Sequence, residues 1–81
     1  MPRVRRSGFP PGLFQHLMDR VRDRIIPASQ IQLLANWLDS EPTVPPTAWF
    51  KRFPGMTVCG DGELVKTFLL PGQIPWGEEQ Q

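Results

Sequence analysis

The uneven distribution of proline and glycine is the feature that most restricts how this chain folds. The 81 residues include ten prolines and seven glycines, yet residues 13–39 contain only Pro27. Proline interrupts a helix because its ring clashes with the preceding turn and its nitrogen has no hydrogen to donate. The distribution therefore predicts two helices, one on each side of Pro27, with irregular or extended chain before and after them.

The first predicted helix covers residues 13–25 and follows Pro10 and Pro11, which suit the first turn of a helix. Its apolar side chains recur at helical spacing within an arc of about 140°. They are Leu13, Phe14, Leu17, Met18, Val21 and Ile25. This amphipathic helix is expected to end near Ile26, immediately before Pro27.

The second predicted helix starts at Ser29 and ends before Pro42. Ser29 and Gln32 have the spacing of a capping box, in which each side chain bonds the other residue's backbone amide. Two rows of apolar side chains follow, so this helix is expected to be buried on two sides. They are Ile31, Leu34, Ala35 and Leu38 in one row, and Leu33 and Trp37 in the other.

The second half of the chain has the pattern of strands. Residues 48–53, after a proline-rich connector, fit either a helical turn or a short strand, and we favour the strand. The segments 56–59 and 64–69 are rich in β-branched residues and flank Asp61-Gly62, a strong signal for a hairpin. We therefore predict an α+β fold, with two antiparallel amphipathic helices followed by a β-hairpin or a short three-stranded antiparallel sheet.

The predicted organisation is a flexible basic arm at residues 1–8, a single small α+β domain at 9–76 and an acidic tail at 77–81. Cys59 is the only cysteine, which excludes an intramolecular disulfide. One cysteine and one histidine cannot complete a zinc site alone, and no cofactor is expected. The N-terminal arginines precede no apolar segment, and no run is long enough to cross a membrane. These features predict a cytoplasmic protein.

Catalytic hypotheses receive little support from the residue types. Cys59 and His16 are the only thiol–imidazole combination, and a third group to orient them is not evident. Asp61 and Glu63 lie at the predicted hairpin tip, where solvent leaves carboxylates with ordinary acidity. A small metal-free nuclease of toxin type remains a third hypothesis, because the chain has basic groups suited to charge stabilisation and proton transfer. These are His16, Lys51, Arg52 and Lys66.

Binding of nucleic acid is the second hypothesis, and it rests on charge. Residues 1–24 carry six arginines against two aspartates, a net charge of +4, whereas residues 25–81 carry three basic and six acidic residues, a net charge of −3. A basic arm and helix face attract phosphates. The candidate residues are Arg3, Arg5, Arg6, Arg20 and Arg24.

Protein–protein interaction is the leading hypothesis, because the chain has more large aromatic residues outside its helices than a small core readily absorbs. Tryptophan and arginine are enriched at binding hot spots. We predict a non-enzymatic regulatory or interaction module with an aromatic surface at residues 48–53 and 74–76, and possible homodimerisation. The interface residues are Trp49, Phe50 and Trp76, with Lys51 and Arg52 as a polar rim.

Overall fold

The first helix, α1, spans Pro11–Arg22 in a computed structural model that describes residues 2–81. Pro11 occupies the first helical position, where the absent backbone hydrogen has no cost. Leu17 is fully buried, and Leu13 and Val21 are partly buried against the same core. The apolar face predicted from the sequence is therefore the face that α1 buries.

α1 ends earlier than predicted because Arg24 adopts a left-handed backbone conformation with a φ of 62°. The amide of Arg24 donates to the carbonyl of Val21 at 3.0 Å, and the amide of Ile25 donates to the carbonyl of Arg20 at 2.9 Å. This Schellman arrangement satisfies carbonyls that the helix end leaves without partners. The helix thus ends at Arg22, and Ile26 lies beyond the turn, fully buried in the core.

Replacing Arg24 with glycine is expected to stabilise the protein by roughly 0.5–1 kcal/mol. A left-handed conformation costs a non-glycine residue about 1–2 kcal/mol, and the entropy of glycine in the unfolded chain offsets part of that gain. Urea denaturation followed by circular dichroism measures the change. Arg24→Ala is the control, because it removes the guanidinium but keeps the strain. An equal gain in both variants would show that the charge, not the backbone, is responsible.

The second helix, α2, spans Ser29–Asp39, but the predicted capping box does not form. No side chain caps the N-terminus; the amide of Gln30 donates instead to the carbonyl of Pro27 at 3.0 Å. The side-chain amide of Gln32 donates to the side-chain oxygen of Asn36 at 2.9 Å. The tight turn after Pro27 thus satisfies the first amides of α2 through backbone carbonyls, and the Gln32 side chain points along the helix.

The rest of the fold is a four-stranded sheet with the order β3-β2-β1-β4. β1 (Ala48–Phe53), β2 (Met56–Asp61) and β3 (Leu64–Leu69) are antiparallel neighbours, which confirms the predicted hairpin and the α+β class. β4 (Glu78–Gln80) was not predicted and pairs in parallel with β1. The sheet is therefore mixed, and β4 occupies most of the segment that the sequence indicated to be an acidic tail.

Both helices cover one face of this sheet. α1 contacts β3 and α2 contacts β1, so the two helices lie over different halves of the sheet. The side chains of Val58 and Phe68 point to the helices and join the main core. Cys59 follows Val58 in β2, and Thr67 precedes Phe68 in β3. Because side chains alternate along a strand, Cys59 and Thr67 point to the opposite face.

The connection between β3 and β4 has to cross the sheet, because β3 and β4 both run parallel to β1. Residues 70–77 make this crossing on the face away from the helices, where Ile74 and Trp76 line a cleft together with Cys59 and Thr67. We call residues 70–77 the crossover segment. The crossover places a second layer of chain over the sheet face that the helices leave open.

The segment expected to be a flexible arm contributes to the core instead. Val4 is fully buried, and its amide donates to the carbonyl of Pro42 at 3.1 Å. The amide of Val44 donates in return to the carbonyl of Pro2 at 2.9 Å. These bonds join the N-terminal segment to the connector after α2, and Val4 and Val44 are both fully buried in the main core.

Candidate interaction surface

Trp49 is a core residue, which corrects the expectation that it is exposed. Its side chain has 0 % exposure, and its indole nitrogen donates to the carbonyl of Gly62 at 2.8 Å. Its ring lies 5.6 Å from the ring of Trp37, centre to centre. Trp49 alternates onto the face of β1 that the helices cover, so the exposure that an interface role requires is absent.

Phe50 is also buried, with 7 % exposure, but it points to the opposite face from Trp49 and lies outside the main core. The guanidinium of Arg52 lies 5.4 Å from the centre of the Phe50 ring, and its Nε lies 3.6 Å from a carboxylate oxygen of Glu79. Lys51 points to the helix side, where its ammonium lies 5.8 Å from the Phe53 ring. β1 therefore divides the predicted surface at residues 48–53 between two faces.

Of the three aromatic residues predicted at the interface, Trp76 is the strongly exposed one. Its side chain is 81 % exposed, and that of Ile74, two residues earlier, is 91 % exposed. Pro75 between them is half-buried. We call Ile74, Pro75 and Trp76 the crossover patch. Large apolar side chains exposed together to this degree are typical of an interaction site rather than of ordinary surface.

Two clefts flank the crossover patch. One has a volume of about 350 Å³, and its lining includes Cys59, Asp61, Lys66 and Thr67 besides the patch itself. The other has a volume of about 420 Å³ and is lined by residues 46–48, Asp61 and residues 76–78. Trp76 borders both clefts, so a ligand in either one can contact its ring.

The basic residues proposed for nucleic acid are largely matched by carboxylates. Arg5 and Arg6 each form an ion pair of 2.6 Å, with Glu41 and Asp39 respectively. Arg3 donates to the carbonyl of Glu41 at 3.3 Å. Arg20 lies 3.9 Å from Asp23. Arg24 is exposed in the turn after α1. The positive charge of the N-terminal segment is thus brought next to acidic residues from the end of α2.

The sheet separates the thiol and the imidazole that the sequence suggested as a pair. The His16 ring lies 5.3 Å from the ring of Phe68, on the helix side, whereas Cys59 lies on the crossover side. Partial burial raises the pKa of the Cys59 thiol, which lowers its thiolate fraction and hence its nucleophilicity at neutral pH. Asp61 and Glu63 are exposed at the turn between β2 and β3.

Two absences apply to residues 2–81. No group of three histidine, cysteine, aspartate or glutamate side chains is placed to hold a metal ion. No helix in this range is long and apolar enough to cross a membrane.

An apolar groove of about 400 Å³ lies between α1 and α2, and sequence reasoning missed it. It is lined mainly by Phe9, Pro11, Phe14, Ile31, Leu34 and Leu38.

Comparisons with protein-family models, with curated proteins and with solved structures found no match to this chain.

Proposed function

We propose that this protein is a small non-enzymatic interaction module of the cytoplasm, which regulates or assembles with a protein partner through the crossover patch. The observation that carries the proposal is the exposure of Ile74 and Trp76, at 91 % and 81 %. Burying each Å² of apolar surface contributes about 25 cal/mol, so two such side chains favour a partner that covers them. Tryptophan is also the residue most enriched at binding hot spots.

The backbone on either side of the patch supports this role because it is held in place. At its start, the amide of Leu70 donates to the side-chain oxygen of Gln73 at 2.7 Å. At its end, Gly77 has a φ of 110°, and a β-carbon there would lie 2.7 Å from the carbonyl carbon of Ala48. A backbone fixed at both ends presents its side chains with less entropy lost on binding.

We expect the double variant Ile74→Ala/Trp76→Ala to bind its partner at least tenfold more weakly than the native protein. Loss of a tryptophan hot spot typically costs about 2 kcal/mol or more, and about 1.4 kcal/mol corresponds to a factor of ten. The measurement is quantitative capture of proteins from a cell extract on immobilised native and variant protein. Circular dichroism checks that the variants remain folded, since both side chains are exposed.

Leu64→Ala is the matched control, because Leu64 is an exposed apolar residue on β3 that lines neither of the two clefts beside Trp76. It should leave capture unchanged. Equal capture by the native protein and the double variant would refute the proposed function. Capture that depends on nucleic acid and falls on removal of the N-terminal arginines would favour the nucleic-acid alternative. Light scattering of the pure protein tests self-association: a dimer that the double variant converts to monomer identifies a second copy as the partner.

A further inference from the structure

The groove between α1 and α2, which we call the helix groove, is apolar along its whole length apart from Arg6 at its rim. Leu34 and Leu38, one turn apart on α2, line it and are both buried. Phe9 and Phe14 line it from the other side, with their rings nearly perpendicular and 6.2 Å apart, centre to centre. Its volume of about 400 Å³ is large enough for an indole ring and lies within the range of binding pockets.

The helix groove stays open because the helices pack on the sheet rather than on each other. α1 contacts β3 and α2 contacts β1, and β2 lies between those two strands. Phe14, although it belongs to the apolar side of α1, therefore remains 48 % exposed at the edge of the groove. The molecule thus has exposed apolar features on both faces of the sheet, the helix groove on one and the crossover patch on the other.

We propose that the crossover patch docks into the helix groove of a second copy of this chain, so that copies associate head to tail. The proposal rests on the proposed function and names its partner. Ile74 and Trp76 project from their face, and the helix groove is concave. A projecting tryptophan that fills an apolar pocket is the usual form of a binding hot spot. Aromatic rings also favour edge-to-face contacts, which Phe9 and Phe14 offer to an indole.

The apolar area available favours a second copy and sets the strength of the contact. An aromatic side chain buries about 150–250 Å², so the patch and the groove together bury roughly 1,000 Å² with their rims. This is below the range of about 1,200–2,000 Å² for stable complexes, so the association is weak and reversible. A different protein on the patch leaves the helix groove open, whereas head-to-tail docking covers both surfaces of every interior copy.

The placement of the two surfaces determines the kind of assembly. A two-fold dimer that uses both surfaces requires them on the same side of the molecule. Because the patch and the helix groove lie on opposite faces, each added copy leaves one patch and one groove free. Association therefore continues beyond two copies, and the mean mass rises steadily with concentration. A contact between two crossover patches stops at the dimer instead.

Light scattering of the pure full chain, over about a hundredfold range of concentration, measures this mass. We expect it to rise from the monomer mass to about twice that value or more. Ile74→Ala/Trp76→Ala and Ala35→Lys should both remain monomeric, because the lysine places a charge in the groove that docking would bury without a partner. Leu33→Lys is the matched control and should associate like the native protein, since Leu33 is an exposed residue of α2 outside the groove. Circular dichroism checks that each variant is folded.

Mixing the two monomeric variants is the decisive experiment. Ala35→Lys keeps its patch and Ile74→Ala/Trp76→Ala keeps its groove, so the mixture should form a one-to-one pair that cannot grow further. A mixture that does not pair, or an Ala35→Lys variant that associates as strongly as the native protein, overturns the inference. So does a native protein that stays monomeric throughout. The proposed function survives those results if Ile74→Ala/Trp76→Ala still loses capture of a different protein, and falls with them if capture is unchanged.

Discussion

Replacing Gly60 with alanine is expected to destabilise the protein by about 3 kcal/mol or more, the largest effect of any single substitution proposed for it. A β-carbon at Gly60 would lie 2.2 Å from one carbon of the Trp49 indole and 2.7 Å from the carbonyl oxygen of Leu64. Neither group is free to move. The indole is fully buried and hydrogen-bonded to the carbonyl of Gly62, and the carbonyl of Leu64 belongs to the neighbouring strand β3.

The size of that effect is set by the small total stability of a short chain. Folded proteins are stable by roughly 0.05–0.15 kcal/mol per residue, so a loss of about 3 kcal/mol removes a large share of the total here. Urea denaturation followed by tryptophan fluorescence gives the free energy of unfolding.

Gly12→Ala is the matched control for this substitution. Gly12 lies in α1, and a β-carbon there would meet no atom within 4 Å. Because alanine is favoured over glycine in helices, the control should be neutral or stabilising, by up to about 1 kcal/mol. If Gly60→Ala unfolds at the same urea concentration as the native protein, the close packing of Trp49 on Gly60 is incorrect.

The local elements of this fold are largely predictable because short-range patterns determine them. Helical spacing identified the buried Leu17 face of α1, and Asp61-Gly62 located the hairpin. β4 has no such signal, since Glu78, Glu79 and Gln80 have little preference for strands. Backbone pairing with β1 holds it, at the end of a crossover that sequence patterns do not reveal.

The candidate surface was predicted only in part for a related reason. A strand at residues 48–53 sends adjacent side chains to opposite faces, so Trp49 and Phe50 could not belong to one surface. That alternation was available from the sequence. The burial of Phe50, by contrast, is on the sheet face away from the helices, where the guanidinium of Arg52 lies 5.4 Å from its ring centre, and no sequence pattern indicates it.

Deleting residues 1–5 is expected to lower the free energy of unfolding by roughly 2–3 kcal/mol, although the sequence indicates a flexible arm there. The deletion removes the fully buried side chain of Val4, whose burial contributes about 1.5–3 kcal/mol. It also removes two backbone hydrogen bonds, to Pro42 and from Val44, worth about 1 kcal/mol each. The conformational entropy lost when this segment is ordered offsets part of this sum.

The triple variant Arg3→Ala/Arg5→Ala/Arg6→Ala separates the charges of this segment from its packing. It keeps Val4 in the core and removes only exposed ion pairs, which typically contribute between 0 and about 1 kcal/mol each. Thermal denaturation should therefore show a melting temperature lower by about 10 °C or more for the deletion, and a smaller decrease for the triple variant. A deletion variant as stable as the native protein would show that residues 1–5 are a dispensable arm, free to serve another role. A deletion that is clearly less stable than the triple variant assigns the segment to the core, because the triple variant lacks both arginines that the deletion removes, and Arg6 as well, yet keeps Val4 and its backbone bonds.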